Sequence, residues 1–150
     1  MPLQKRVYLD VCALSRPFDD QQQLRIRLET SAVELILAHI RNGSLTLCIS
    51  PVHTAEIEAI SELEEREQLT QLLHRYGAMQ RVDLAAARVL AESLVAQRFG
   101  VADAAHVAFA IHSQADFVSV DNRLLRQCQR AGIKIWCGTP MAYCEKEQLR

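Results

Sequence analysis

The chain has 150 residues, 49% of them apolar and 23% charged, and a net charge of −1. That length and composition suit one soluble globular domain with a real core. The near-neutral balance argues against a generic nucleic-acid coat, which carries a large basic excess. Nothing at the N-terminus has the apolar length of a signal peptide, and no segment is suited to span a bilayer, so a cytoplasmic location is expected. The five cysteines (Cys12, Cys48, Cys128, Cys137 and Cys144) contain no C-x-x-C pair. They argue against a zinc site or a disulfide framework and are expected to be buried or idle thiols.

In chain order, Val7 to Leu9 reads as a short strand ending at Asp10. A polar loop, R-P-F-D-D-Q-Q-Q, is expected next, with Pro17 opposing helix. Asp19 and Asp20 in this loop read as a solvated turn, with added metal ligands or repulsion of RNA as the competing reading. Apolar residues then recur at helical spacing from Leu24 to Arg41, and Asn42-Gly43 supplies the stop. Leu45 to Ile49 reads as a strand, after which Ser50 caps a helix carrying Pro51 in its first turn and Glu56 further in. A further helix is expected over Leu63 to Tyr76, closed by Gly77, with E-L-E-E-R-E-Q as its solvated face.

A strand is expected near Met79 to Val82. Asp83 then caps a helix from Leu84 to about Phe99, which Gly100 ends. Asp103 is expected to begin the next helix, A-A-H-V-A-F-A-I-H, which is small and apolar enough to pack closely on a sheet. Phe117 to Val120 reads as a strand ending at Asp121, and Asp116 before it reads as a turn residue. A helix over Arg123 to Ala131, closed by Gly132, precedes a last strand over Ile133 to Cys137. The segment from Thr139 onward carries no clear signal. Strands alternating with helices imply right-handed crossovers and an α/β fold with a mostly parallel sheet, covered on both faces.

Four carboxylates stand out in this frame. Asp10 and Asp121 end strands, whereas Glu56 and Asp103 lie in the opening turns of helices. In open parallel sheets, sites form at the carboxyl ends of the strands, so the topology gives these four a reason to converge. Converging carboxylates repel one another unless a cation neutralises them, and Mg²⁺ or Mn²⁺ favours such oxygen ligands. Each acid also has a structural reading: Asp10 as a turn, Asp103 and Asp121 as helix caps, and Glu56 as an exposed helix residue. His106 reads as a packed core histidine or a partner to the acids, whereas His53 and His112 show no ligand pattern. Arg16 and Arg123 are candidate phosphate contacts, because guanidinium groups bind phosphate in a bidentate manner.

The segments Y-L-D-V-C, S-P-V-H-T-A-E-I and A-D-A-A-H-V-A-F-A-I…A-D-F-V-S-V-D-N-R-L-L together resemble the PIN domain family, which includes the toxins of VapBC-type toxin–antitoxin pairs. The resemblance covers nearly the whole chain. It implies a three-layer α/β/α fold around a roughly five-stranded sheet. It also implies an Mg²⁺- or Mn²⁺-dependent endoribonuclease whose catalytic and metal-binding quartet is Asp10, Glu56, Asp103 and Asp121, leaving a 5′-phosphate and a 3′-hydroxyl. Further implications are an RNA substrate, a cognate antitoxin and a homodimer. Ser119 matches a hydroxyl usual in the family beside the last acid. Cys12 departs from the usual Thr, Ser or Asn after the first acid, and a thiol is a poor hydrogen-bonding substitute there. The competing readings are a non-catalytic PIN-like module that binds RNA or a protein, and another phosphohydrolase with an acidic site.

Overall fold

The computed structural model describes residues 4–150. Its strands are β1 (Lys5–Leu9), β2 (Leu45–Ile49), β3 (Gly77–Met79), β4 (Asp116–Val118) and β5 (Cys137–Gly138). They form one parallel sheet in the order β3-β2-β1-β4-β5. The helices are α1 (Val11–Ser15), α2 (Leu24–Arg41), α3 (Pro51–Glu58), α4 (Leu63–Tyr76), α5 (Leu84–Ala96), α6 (Val101–His112), α7 (Asn122–Arg130) and α8 (Pro140–Glu147).

Strand alternation sends side chains to opposite faces, and β1 illustrates the consequence. Val7 and Leu9 enter a core with Val33, Ile36, Leu69 and Tyr143, which come from α2, α4 and α8. Tyr8 enters a second core with Leu94, Val107, Phe117 and Leu124, on the side of α5, α6 and α7. The sheet is thus the middle of three layers, as the α/β reading implies. The chain runs from β1 outward to β2 and β3, then returns to the other side of β1 for β4 and β5. The strand order therefore reverses between β1 and β4, and the crevice at their carboxyl ends is where such sheets hold ligands.

Several boundaries differ from the sequence expectations. The polar loop after Asp10 begins instead with α1, followed by a 3₁₀ turn over Arg16–Phe18. The Asp10 side chain caps α1 by accepting from the Ala13 N–H at 3.0 Å. Strand β3 starts at Gly77 rather than Met79, because Gly77 lies flat against β2. A Cβ there would stand 2.6 Å from the Ile49 Cδ1 atom and 2.5 Å from the Leu73 carbonyl oxygen. Helix α5 stops at Ala96, short of Phe99. Helix α6 starts at Val101 with Gly100 as its cap, so Asp103 lies in the first turn.

Strands β4 and β5 are also displaced, to Asp116–Val118 and Cys137–Gly138. Asp116 is a strand residue rather than a turn residue, and its carboxylate faces the ammonium groups of Lys5 at 3.7 Å and Lys146 at 3.2 Å. The last segment forms α8, whose start is fixed by Thr139: its hydroxyl accepts from the Ala142 N–H at 3.1 Å.

Candidate active site

Asp10 follows β1 and is almost wholly buried, with 2% of its surface exposed. Its Oδ1 accepts from the Ala13 N–H, and the Cys12 thiol lies 3.2 Å from the same oxygen. Its buried Oδ2 has no hydrogen-bond partner. Burial drives the Asp10 pKa above the ordinary carboxylate value, against the lowering effects of Ser119, His106 and the Ala13 N–H. A buried carboxylate oxygen with nothing to receive is costly unless the site serves a ligand.

Glu56 is held from behind by a chain of buried polar groups. It is the partner of His106 Nε2, and His106 Nδ1 lies 2.6 Å from the Tyr8 hydroxyl. That hydroxyl lies 2.7 Å from Ser50 Oγ. Burial pushes the Tyr8 phenol far above its usual pKa, so it stays protonated and donates to Nδ1. The His106 Nε2–H then donates to Glu56, and Ser50 donates to Tyr8. The His106 hydrogen bond, opposed by burial, holds the Glu56 carboxyl below its usual pKa and therefore ionised.

His53 completes this buried cluster from the first turn of α3. Its Nδ1 accepts from the Ser50 N–H at 3.0 Å, and its Nε2–H donates to the Leu9 carbonyl at 2.7 Å. Burial lowers its pKa to about 4, so it is neutral. The ring ties the start of α3 to the end of β1, and thereby Glu56 to Asp10. Sequence reasoning missed Tyr8, Ser50 and His53 as site residues. The one local signal was His53 three residues after the Ser50 cap, where a side chain that reaches back to the cap N–H is favoured.

Asp103 is half-buried, and burial raises its pKa; the charges of Asp10, Asp121 and Glu56 raise it further. The other three acids thus lie within electrostatic reach of Asp103. Asp121 is exposed and caps α7, its Oδ1 accepting from the N–H groups of Arg123 at 3.0 Å and Leu124 at 3.2 Å. Ser119 Oγ accepts from the Asp121 N–H at 3.1 Å, which fixes the turn between β4 and α7.

Cys12 is not an idle thiol. Its residue is exposed, but its sulfur lies between Asp10 Oδ1 and Ser119 Oγ, 3.8 Å from the latter. Burial of the sulfur, and then the Asp10 charge, push its pKa up, so it remains a protonated donor to Asp10. Arg16 is not free for phosphate, because it is paired with Asp19 at 2.8 Å and with buried Glu29 at 3.2 Å. Asp19 and Asp20 serve the local turn, Asp20 by accepting from the Gln22 N–H. Arg123 is exposed beside Asp121 and enters no ion pair among the described residues.

The residues fit a hard divalent cation in chemistry. They offer carboxylate oxygens only, one of them buried and unpartnered, and the charge repulsion felt by Asp103 is of the kind a cation relieves. Among the described residues, no three Asp, Glu, His or Cys side chains are close enough together to enclose an ion.

No curated protein matches the chain. Among solved structures, it is similar to the crystal structure of FitAcB from Neisseria gonorrhoeae, at 15% identity and a TM-score of 0.54, over 90% of this chain and 98% of that one. At that identity the likeness is one of fold. The PIN domain family matches residues 7–129, which run from within β1 through most of α7 and include all four acids. The chain belongs to the PIN domain family.

Proposed function

We propose that the chain is an Mg²⁺- or Mn²⁺-dependent endoribonuclease, acting as the toxin of a toxin–antitoxin pair. The family, whose members are generally nucleases, supports the reaction class. The observation that carries the site is the unpartnered buried Oδ2 of Asp10, in the field shared by Asp103, Asp121 and Glu56. In this reading Asp10, Asp103 and Asp121 hold the ion, and Glu56 does so directly or through water. When bound, the ion supplies a water of lowered pKa and neutralises charge on the phosphate. His106, backed by Tyr8, orients the Glu56 carboxylate and keeps it ionised. The Asp10 cap on α1 and the Asp121 cap on α7 fix those two carboxylates by backbone hydrogen bonds, so little reorganisation remains when substrate arrives.

The partners in this reading are RNA, a cognate antitoxin and a second copy of the chain. Exposed Leu24, Leu28 and Leu63 give the apolar surface that a protein partner would cover. No helix among the described residues is long and apolar enough to cross a membrane. Unregulated expression in a bacterial host tests the reading. Wild type should arrest growth, and Asp10→Asn at equal protein level should relieve the arrest. Equal growth with the two proteins would favour a non-catalytic module that binds RNA or a protein.

A further inference from the structure

We propose that Arg98, Arg123 and Arg130 form a groove that grips the phosphodiester backbone of the RNA substrate on the side of Asp103 and Asp121. This rests on the nuclease reading and adds where its polyanionic substrate is held. The three guanidinium-bearing residues line one open cavity of about 290 Å³, together with Gln97, Phe99 and Gln127. All three arginines are exposed, and no ion pair among the described residues engages them. Arg16, Arg25 and Arg88, in contrast, are each tied to a carboxylate.

The sequence concentrates positive charge on α7 and the segment after it. Between Asp121 and Glu145 there are four cationic residues, Arg123, Arg126, Arg130 and Lys134, and no acid, in a chain whose net charge is −1. The groove also adjoins the acids through the backbone. Arg98 lies just before Gly100, the cap of the helix that carries Asp103, and the Arg123 N–H is bonded to Asp121. Arg98 is held in the left-handed region at φ 73°, which a non-glycine residue rarely adopts. Its carbonyl accepts from the Gln127 side-chain amide at 3.1 Å, so this corner is latched to α7. That latch sets Arg98 across from Arg123 and Arg130.

A substrate of repeating negative charge meets four carboxylates at this site and needs cations close by to approach them. The groove supplies these without an exposed aromatic, since Phe99 is 4% exposed. The grip is therefore on phosphate rather than on bases, and it is tolerant of sequence.

The test is fluorescence anisotropy with a labelled mixed-sequence oligoribonucleotide in chelator, so that nothing is cleaved. Four proteins are compared: wild type, R98Q/R123Q/R130Q, R98K/R123K/R130K, and R27Q/R41Q/R75Q. The last carries the same charge change on the opposite helical layer. Melting temperatures confirm that each is folded. The groove glutamine variant should bind about tenfold more weakly, and the slope of log K against log salt should fall by about 2, at roughly 0.7 per single-strand phosphate contact. The lysine variant should keep most of the salt slope, and the opposite-layer variant should bind like wild type.

Equal losses in the two glutamine variants would overturn the proposal. So would wild-type binding to a polyglutamate peptide but not to RNA, which would mark the groove as a site for an acidic protein. If RNA binds through these arginines but is not cleaved with Mg²⁺ or Mn²⁺, the nuclease reading falls and the groove stands. If RNA is cleaved and the groove variant shows an unaltered KM, the groove falls and the nuclease reading stands.

Discussion

The Tyr8 hydroxyl lies 2.6 Å from Nδ1 of His106, joining the central strand β1 to helix α6 inside the core. The pair sits behind Glu56 and passes a defined hydrogen-bond direction to it, from phenol to imidazole to carboxylate. Both residues are fully enclosed, Tyr8 at 0% and His106 at 1% exposure. Removing the phenol therefore strands buried His106 Nδ1 and takes one partner from Ser50 Oγ. Tyr8→Phe keeps the ring volume and should cost about 1–3 kcal/mol in urea unfolding. It should also raise the Glu56 pKa in carboxyl-resolved NMR, because the imidazole that holds Glu56 ionised is no longer fixed. Loss of stability with an unmoved Glu56 would reduce the pair to a packing role.

His53 predicts the acid side of the stability profile. Its folded pKa, about 4, lies below the ordinary 6.5 because the ring is buried. A depressed folded value means that the neutral ring adds stability above pH 6.5, and that this is lost as pH falls toward 4, since the unfolded chain takes up the proton first. The gap corresponds to about 3 kcal/mol at 1.36 kcal/mol per pH unit. His53→Gln preserves a side chain able to accept from the Ser50 N–H. It should be less stable at pH 7 but flatter between pH 6.5 and 4. Identical slopes for wild type and His53→Gln over that window would contradict the buried, neutral ring.

Asp10 and Asp103 predict the opposite slope in chelator. Burial raises both folded pKa values, with charge repulsion adding to it at Asp103. A carboxyl with a raised folded pKa stabilises the fold below its unfolded value, and that stability is lost as pH rises through the folded value. Asp10→Asn retains a good helix cap and removes the buried charge. At pH 8 in chelator it should be more stable than wild type by about 1–3 kcal/mol, with the gain shrinking toward pH 4. Urea titrations of the two proteins across this range check the sign.

A divalent ion should stabilise wild type preferentially. A ligand that binds only the folded state raises stability by mass action. Millimolar Mn²⁺ should raise the melting temperature of wild type well above that of Asp103→Asn, measured by differential scanning. Equal shifts in the two proteins would remove the ion from these carboxylates.

The reach of the sequence differed between elements for physical reasons. The α/β alternation was legible because apolar periodicity and caps are local, as with the Leu24–Arg41 helix and its Gly43 stop at φ 87°. Short elements were not. Helix α1 has five residues and rests on the Asp10 cap rather than on an apolar stripe. Gly77 was legible as a helix stop but not as the start of β3, because its need for a missing Cβ comes from Ile49 on the neighbouring strand. The placement of Asp10 after β1 and of Asp103 in the first turn of α6 was readable from local caps and apolar runs. Tyr8 and Ser50 were not, since a tyrosine in an apolar strand looks like core until His106 is seen beside it. Arg16 looked free in the sequence because its partner Glu29 lies on a different helix.

The most direct measurement is cleavage of total cellular RNA by purified wild type and Asp10→Asn, each with Mn²⁺ and with chelator. The amide keeps the side-chain shape and removes the charge that would hold the ion. Discrete fragments with 5′-phosphate ends should appear only for wild type with metal, and chelation should abolish them. Identical RNA patterns from both proteins in Mn²⁺, cleaved or uncleaved, would contradict a metal-dependent nuclease built on Asp10.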